Sequence, residues 1–209
     1  MSLRWLLSFV APPLCAGCGA SAGRAEPLCD RCRRALRWLG PEPVRAGPVA
    51  AWAPLAYEGG ARALVRALKF HGAGAAAAVM AAQVVATAPP GWLDAGALVP
   101  VPLHPARMRR RGYNQAGRLA AEIAARSGLA VLDCLERTGP RATQVGRGRA
   151  QRLEGIAGRV HLRADAPGKA ILVDDVLTTG ATLAACAEAL LAAGAVSVKA
   201  IAYARTPGR

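Results

Sequence analysis

The stretch Ala170–Thr182, A-I-L-V-D-D-V-L-T-T-G-A-T, decides the fold. Ala170–Val173 is apolar with no polar alternation, which suits a central parallel strand covered on both faces. The strand is expected to end in Asp174-Asp175, and a helix to start near Thr179 and run to Ala193. Open α/β sheets bind ligands at such carboxyl ends of their strands. The turn Leu177–Thr182 offers backbone N–H groups at a helix N-terminus, which suit a phosphate dianion. Gly180 permits a positive φ or close backbone approach, and the hydroxyls of Thr178, Thr179 and Thr182 add donors. Two adjacent carboxylates beside a phosphate must serve another part of the ligand, or one of them caps the helix. Ribose hydroxyls, met directly or through hydrated Mg²⁺, are the economical assignment.

Outward from this stretch, strands and helices alternate. Val196–Ala204 reads as a final strand, and Leu129–Leu132 and Arg159–Leu162 as weaker ones. Upstream, Val49–Tyr57 and Ala97–Val101 can form strands. Gly59–Lys69 sets Ala61, Leu64, Val65 and Leu68 at helical spacing. Ala73–Ala88 is a second, Ala-rich helix, and Asn114 can cap a third that runs to about Ser127. The alternation implies a mainly parallel sheet with flanking helices. The breaker-rich stretch Gly40–Pro48 predicts a boundary between a small module, residues 1–45, and the main α/β domain, residues 46–209.

Of the 209 residues, 53% are hydrophobic but only 4% aromatic, so Ala, Leu and Val must do most of the packing. The formal charge of +14 comes almost entirely from Arg, because Lys occurs only at Lys69, Lys169 and Lys199. Codon composition can account for the Arg and Ala bias, but not for the 13 acids. Such an excess of cations favours phosphorylated metabolites, nucleic acid, or both. No run approaches the length of a membrane span. The opening Met1–Val10 carries one Arg and a short apolar run, as a leader would, but it ends in Pro12-Pro13 with no A-x-A site. Trp5, Leu6, Phe9 and Val10 read better as a helix packing face, and the expected compartment is the cytoplasm.

Cys15-x2-Cys18-x10-Cys29-x2-Cys32 has the spacing of two zinc knuckles, a closed Cys₄ site for structural Zn²⁺. Cys134 and Cys186 lack partners at ligand spacing, and His71, His104 and His161 are scattered, so none is assigned a metal. A further anion site is expected where Val99–Pro102 runs into an Arg-rich loop. Arg109, Arg111, Asn114 and Gln115 are its candidates, since guanidinium forks suit phosphate oxygens. The Gly- and Arg-rich segment Thr138–Gly148 reads as a mobile loop, and Gln144, Arg149 and Arg152 are candidates for closing over a ligand.

Position by position, Ala170–Thr182 resembles the thirteen-residue signature by which type I phosphoribosyltransferases bind 5-phosphoribosyl-1-pyrophosphate (PRPP). The resemblance implies that Asp174 and Asp175 hold the ribose hydroxyls. It likewise implies that Thr178, Thr179, Gly180, Ala181 and Thr182 hold the 5′-phosphate. The Cys₄ knot, E-G-x-x-x-x-L-V-x-x-L-K-F-H-G over Glu58–Gly72, V-P-V-P-L-H from Val99 and R-R-G-Y-N-Q over Arg110–Gln115 are further similarities. With the signature, they make nearly the whole chain resemble the ComF (competence protein F) family. Gly155 stands where that family commonly has Asn.

The implied fold is a type I phosphoribosyltransferase-like α/β domain with an N-terminal zinc module. The implied activity is phosphoribosyl transfer with release of pyrophosphate, assisted by Mg²⁺, to an acceptor that no nucleobase pocket in the sequence identifies. The competing expectations are an accessory protein of DNA uptake, binding single-stranded DNA and a competence helicase, and a PRPP sensor without turnover. Aromatic platforms for single strands are scarce.

Overall fold

The computed structural model describes residues 14–23, 26–71, 74–138 and 160–207. The expected N-terminal packing face lies outside the described residues, as do Gln144, Arg149, Arg152 and Gly155. The chain forms α1 (Asp30–Arg34), β1 (Val44–Ala46), β2 (Val49–Trp52), β3 (Leu55–Ala56), α2 (Gly59–His71), α3 (Gly74–Thr87) and β4 (Ala97–Pro100). It continues through α4 (Pro105–Arg111), α5 (Gln115–Ser127), β5 (Leu135–Arg137), β6 (Val160–Leu162), β7 (Lys169–Leu177), α6 (Ala181–Ala192) and β8 (Ser197–Arg205). The result is a mixed α/β fold around a mostly parallel sheet in the order β1-β2-β8-β7-β4, with β3 also on β8. Among the described strands of this sheet, β1 alone runs antiparallel to its neighbour.

Side-chain alternation along the central strands builds two apolar layers. Ile171, Val173, Ile201 and Tyr203 face α2, α3 and α5, whose stripes supply Leu64, Leu68, Met80, Leu119 and Ile123. Ala170, Leu172, Ala200 and Ala202 face the other way, toward Leu183, Cys186 and Leu190 of α6. The scarcity of aromatics shows in this second layer, where small residues let backbones approach closely. A Cβ on Gly47 would lie 2.4 Å from the Cβ of Ala184.

Cys15, Leu28 and Leu36 belong to the first apolar layer, with Leu55 and Leu64. The chain linking the cysteine segment to the sheet is pinned to β3, with Leu39 N–H donating to the Pro54 carbonyl at 2.7 Å and Ala56 N–H to Arg37 at 3.0 Å.

Several elements differ from expectation. The strand expected over Ala170–Val173 runs on to Leu177, because β8 continues alongside it and pairs Val176 with Ala204 and Leu177 with Arg205. The helix after it begins at Ala181, behind a left-handed Gly180 (φ 77°). The expected Arg-rich loop contains α4, which Pro105 opens at a position where its missing N–H costs nothing and Gly112 closes in the left-handed region (φ 79°). Leu129–Leu132 contributes an isolated bridge from Val131 to Leu98. Leu135–Arg137, not anticipated, pairs in a separate antiparallel ribbon with Val160–Leu162, which falls within the expected Arg159–Leu162. Val49–Tyr57 is broken at Ala53-Pro54, since proline cannot donate to a ladder.

Candidate ligand cleft and cysteine cluster

At the carboxyl ends of the strands, β4 stops at Pro100 opposite Val173, while β7 continues past it on the β8 side. Asp174 and Asp175 therefore overhang the end of β4 and face a cleft of about 370 Å³. Adjacent residues of a strand point to opposite faces, so Asp175 is turned toward α2 and Asp174 toward the α6 side. The cleft is rimmed by cations: Lys69 from α2, Arg107, Arg110 and Arg111 from α4, and Arg137 from β5.

Asp175 is buried, its side chain only 5% exposed, and its Oδ1 lies 3.0 Å from Lys69 Nζ. Its Oδ2 is buried with no hydrogen-bond partner among the described residues. Burial raises the Asp175 pKa, and the positive charge of Lys69 opposes the rise. Asp174 keeps contact with solvent in the cleft, and its Oδ1 accepts from Asp175 N–H at 2.8 Å. Burial, with the adjacent Asp175 charge, pushes Asp174 up to about 7. An acid pair ringed by cations, one member buried with a carboxylate oxygen unused, is suited to accept hydroxyl hydrogens or a hydrated divalent cation.

The turn from β7 into α6 continues this cleft. Thr178, Thr179, Gly180, Ala181 and Thr182 enclose a niche that Asp174 also lines, and Thr182 reaches the main cleft as well. Gly180 is required twice over: its φ is left-handed, and a Cβ there would come within 2.9 Å of the Ala46 Cβ. Leu177 O accepts from Thr206 N at 3.1 Å and Thr206 Oγ1 at 3.3 Å, which fixes the start of the turn. Thr179 Oγ1 accepts from Ala181 N at 3.4 Å, and the next N–H groups of α6 have no acceptor within a helix that starts there.

The Arg-rich segment places its candidates unevenly. Arg111 and Gln115 line the cleft, and Arg111 donates to Gln115 Oε1. Arg111 also sits 5.8 Å from the ring centroid of Phe70, an exposed aromatic at the cleft. Arg109 is exposed and lines no part of the cleft. At about 100° per residue in a helix, 107, 110 and 111 share one face and 109 points away from it. Asn114 is spent on structure: its Oδ1 accepts from Ala116 N at 3.1 Å and its Nδ2 donates to Val101 O at 3.0 Å.

At the other end of the sequence, the four sulfurs of Cys15, Cys18, Cys29 and Cys32 all lie within 4.8 Å of one another, Cys18 and Cys29 at 3.7 Å. Four thiolates about 2.3 Å from one tetrahedral Zn²⁺ stand roughly 3.8 Å apart, so the cluster could bind a structural metal such as zinc. Two tight loops build it. Cys15 O accepts from Gly19 N at 2.9 Å, with Gly19 left-handed (φ 74°), and Cys29 O accepts from Arg33 N at 2.9 Å at the start of α1. Burial raises Cys15, but N–H groups of Cys29, Cys18 and Gly17 outweigh it and bring the thiol to about 6. Burial and the neighbouring cysteines push Cys32 up to about 12. Without a cation the four thiols cannot all ionise together.

Cys134 and Cys186 are buried, away from this cluster. No helix among the described residues is long and apolar enough to cross a membrane.

Arg107 and Arg110 belong to the Arg-rich stretch expected to form an anion site, whereas no motif in the sequence marks Lys69 or Arg137 as cleft residues. Lys69 left one signal: it stands one turn after Val65, in line with the buried stripe of α2. Arg137 left none, since it comes from a short strand known only by its pairing. The chain matches no protein-family model and no curated protein.

Proposed function

We propose that the chain is a PRPP-binding protein of phosphoribosyltransferase type, similar to the ComF family, that transfers the phosphoribosyl group with release of pyrophosphate. The observation that supports this best is the pair Asp174 and Asp175, where β7 runs past the end of β4, between a T-T-G-A-T niche and a rim of arginines. PRPP carries phosphates at both ends of a ribose, and the cleft offers the matching sequence of donors, acids and cations. The 5′-phosphate takes the N–H and hydroxyl groups of Thr178–Thr182, and the ribose hydroxyls take Asp174 and Asp175. The pyrophosphate lies toward Arg107, Arg110 and Arg111.

In the transfer, the C1–O bond to pyrophosphate breaks with the electron pair leaving on pyrophosphate. A nucleophilic acceptor bonds to C1 with inversion and gives up its proton. The protein's part is positioning and stabilisation of separating charge. Mg²⁺ bound with the ligand supplies further neutralisation of the pyrophosphate, and the unused Oδ2 of Asp175 suits a water of its hydration shell or a ribose hydroxyl.

The test is thermal shift and calorimetric titration with PRPP and Mg²⁺, alongside pyrophosphate release with candidate amines and bases. Asp175→Asn removes a charged acceptor and is expected to weaken PRPP binding about 10- to 100-fold while the chain stays folded. Unchanged affinity in that variant, or no PRPP-dependent shift in the wild type, overturns the reading. Binding without pyrophosphate release from any acceptor leaves a sensor of PRPP.

A second reading, a DNA-uptake accessory that binds single-stranded DNA beside a helicase, rests on charge. Besides the net +14, exposed Arg62 and Arg66 line a separate cleft of about 600 Å³ between α2 and the Cys15–Cys18 loop. This reading requires oligonucleotide affinity that falls steeply with salt.

A further inference from the structure

The cleft contains one contact that neither the phosphate niche nor the arginine rim accounts for. Lys69 Nζ lies 3.0 Å from Asp175 Oδ1, with the two side chains 24% and 5% exposed. Both partners stand on elements held in place by the core. Asp175 is fixed in β7 between β8 and the end of β4. Val65 and Leu68 are buried in the core, which fixes the rotation of α2, and the Tyr113 hydroxyl donates to Leu68 O.

A lysine serving only to neutralise a buried acid has no need to leave half of that acid unused. Here the ammonium engages one oxygen, and the other is buried without a partner. A buried polar atom left so is costly unless a ligand completes it.

We propose that Lys69 is a positioning residue for the ligand: it holds Asp175 ionised and tied through Oδ1, so that Oδ2 is presented as an acceptor to a ribose hydroxyl. This rests on the PRPP reading given above and adds to it the residue that sets the charge state of the ribose site. The other charged and polar groups that line this cleft are Asp174 from β7, Arg107, Arg110 and Arg111 from α4, Gln115 from α5, Arg137 from β5 and Thr182 from α6. Among the described ion pairs, Asp175 pairs with Lys69 and with none of the arginines. A neutral Asp175 carries a proton and accepts less well. Burial already favours that form, so loss of Lys69 moves the acid toward it.

The experiment has two readouts, one without ligand. The carboxyl ¹³C titration of Asp175, assigned with Asp175→Asn, is followed in wild type, Lys69→Met and Lys69→Arg. PRPP·Mg²⁺ affinity is then measured over a pH series that spans the Asp175 midpoints observed in the three proteins. Lys69→Met is expected to raise the Asp175 midpoint above that of the wild type, and to weaken binding about tenfold on the acid side of that midpoint. The deficit should close as pH rises and Asp175 ionises, and Lys69→Arg should restore both readouts. Lys69→Gln carries the same expectations if the methionine variant folds poorly.

An unshifted Asp175 titration overturns the inference, even where PRPP binds. A shifted titration with wild-type affinity at every pH also overturns it, leaving the PRPP reading intact. A wild-type chain that binds no PRPP removes the functional reading and this inference with it.

Discussion

At the cysteine cluster, four thiols lie within 4.8 Å of one another on two tight loops, whereas at the cleft two carboxylates stand at the open end of a sheet. Both places crowd groups that repel one another once ionised. In the cysteine cluster the sulfurs turn inward on a common centre, which a metal such as zinc would fill with no coordination position left over. In the cleft, cations approach from α2, α4 and β5, yet one carboxylate oxygen remains unmet. The difference separates a site that closes on itself, and so contributes to folding, from one left incomplete toward a ligand.

The largest expected effect tests the closed side. Cys29→Ser leaves three thiol ligands and should reduce zinc, measured by metal analysis, from about one equivalent to a small fraction of it. The damage should not stop at the loops. Leu28 and Leu36 pack with Leu55 and Leu64, and at Gly60 the helix α2 comes so close that a Cβ would meet Leu28, Leu36 and the Cys32 carbonyl at 3.1 Å. Releasing two leucines from such burial costs roughly 3–6 kcal/mol as an upper estimate. In a chain of this size that lowers Tm by something on the order of 10 °C. A variant that loses its metal but keeps its Tm would break the comparison, showing that the cluster contributes nothing to the shared apolar layer.

A smaller effect, of opposite sign, is expected on the open side. The folded pKa of Asp174, raised to about 7, lies above its ordinary value of about 4. Its contribution to stability is therefore fully present below about pH 4 and is lost as pH rises through about 7. Asp174→Asn removes the charge and keeps an oxygen to accept from Asp175 N–H. It should raise the Tm of the ligand-free protein at about pH 8 by a few degrees, with the gain vanishing near pH 4. PRPP affinity should fall in the same variant, the exchange of stability for function expected of a binding site. A variant no more stable than wild type at pH 8 would mean that the surrounding cations already compensate the pair.

The sequence carried these two regions unequally. The cysteine cluster was legible in full, because ligand spacing along one segment constrains the sulfurs to meet. The β7–α6 turn was legible for the same reason, its acids, threonines and glycine being contiguous. The cationic half of the cleft was legible only in part: the Arg-rich stretch that holds Arg111 and Gln115 was marked, but Lys69 and Arg137 come from α2 and β5, which are distant in sequence. The length of β7 also went unseen: two adjacent aspartates read as a strand end, and only pairing with β8 carries the strand past them. In each case a contact between separated segments overrode a local preference.

The smallest predicted effect bears on where the open site ends. Residue type alone gave Arg109 and Arg111 equal standing, but the helix that contains them does not. Arg111 faces the cleft beside Phe70 and Gln115, and Arg109 is carried about 200° away by two helical steps. If the cleft holds PRPP as proposed, Arg111→Ala deletes a charge-assisted contact to a phosphate and should weaken PRPP binding about tenfold or more. Arg109→Ala removes an exposed charge that lines no part of the cleft and should leave affinity within about twofold, through the screened long-range field alone. Titration of PRPP into both variants at matched ionic strength decides the point. Equal losses would mean that α4 turns or unwinds when the ligand binds, and the cationic, anion-binding end of the cleft would then be the loop that the sequence led one to expect.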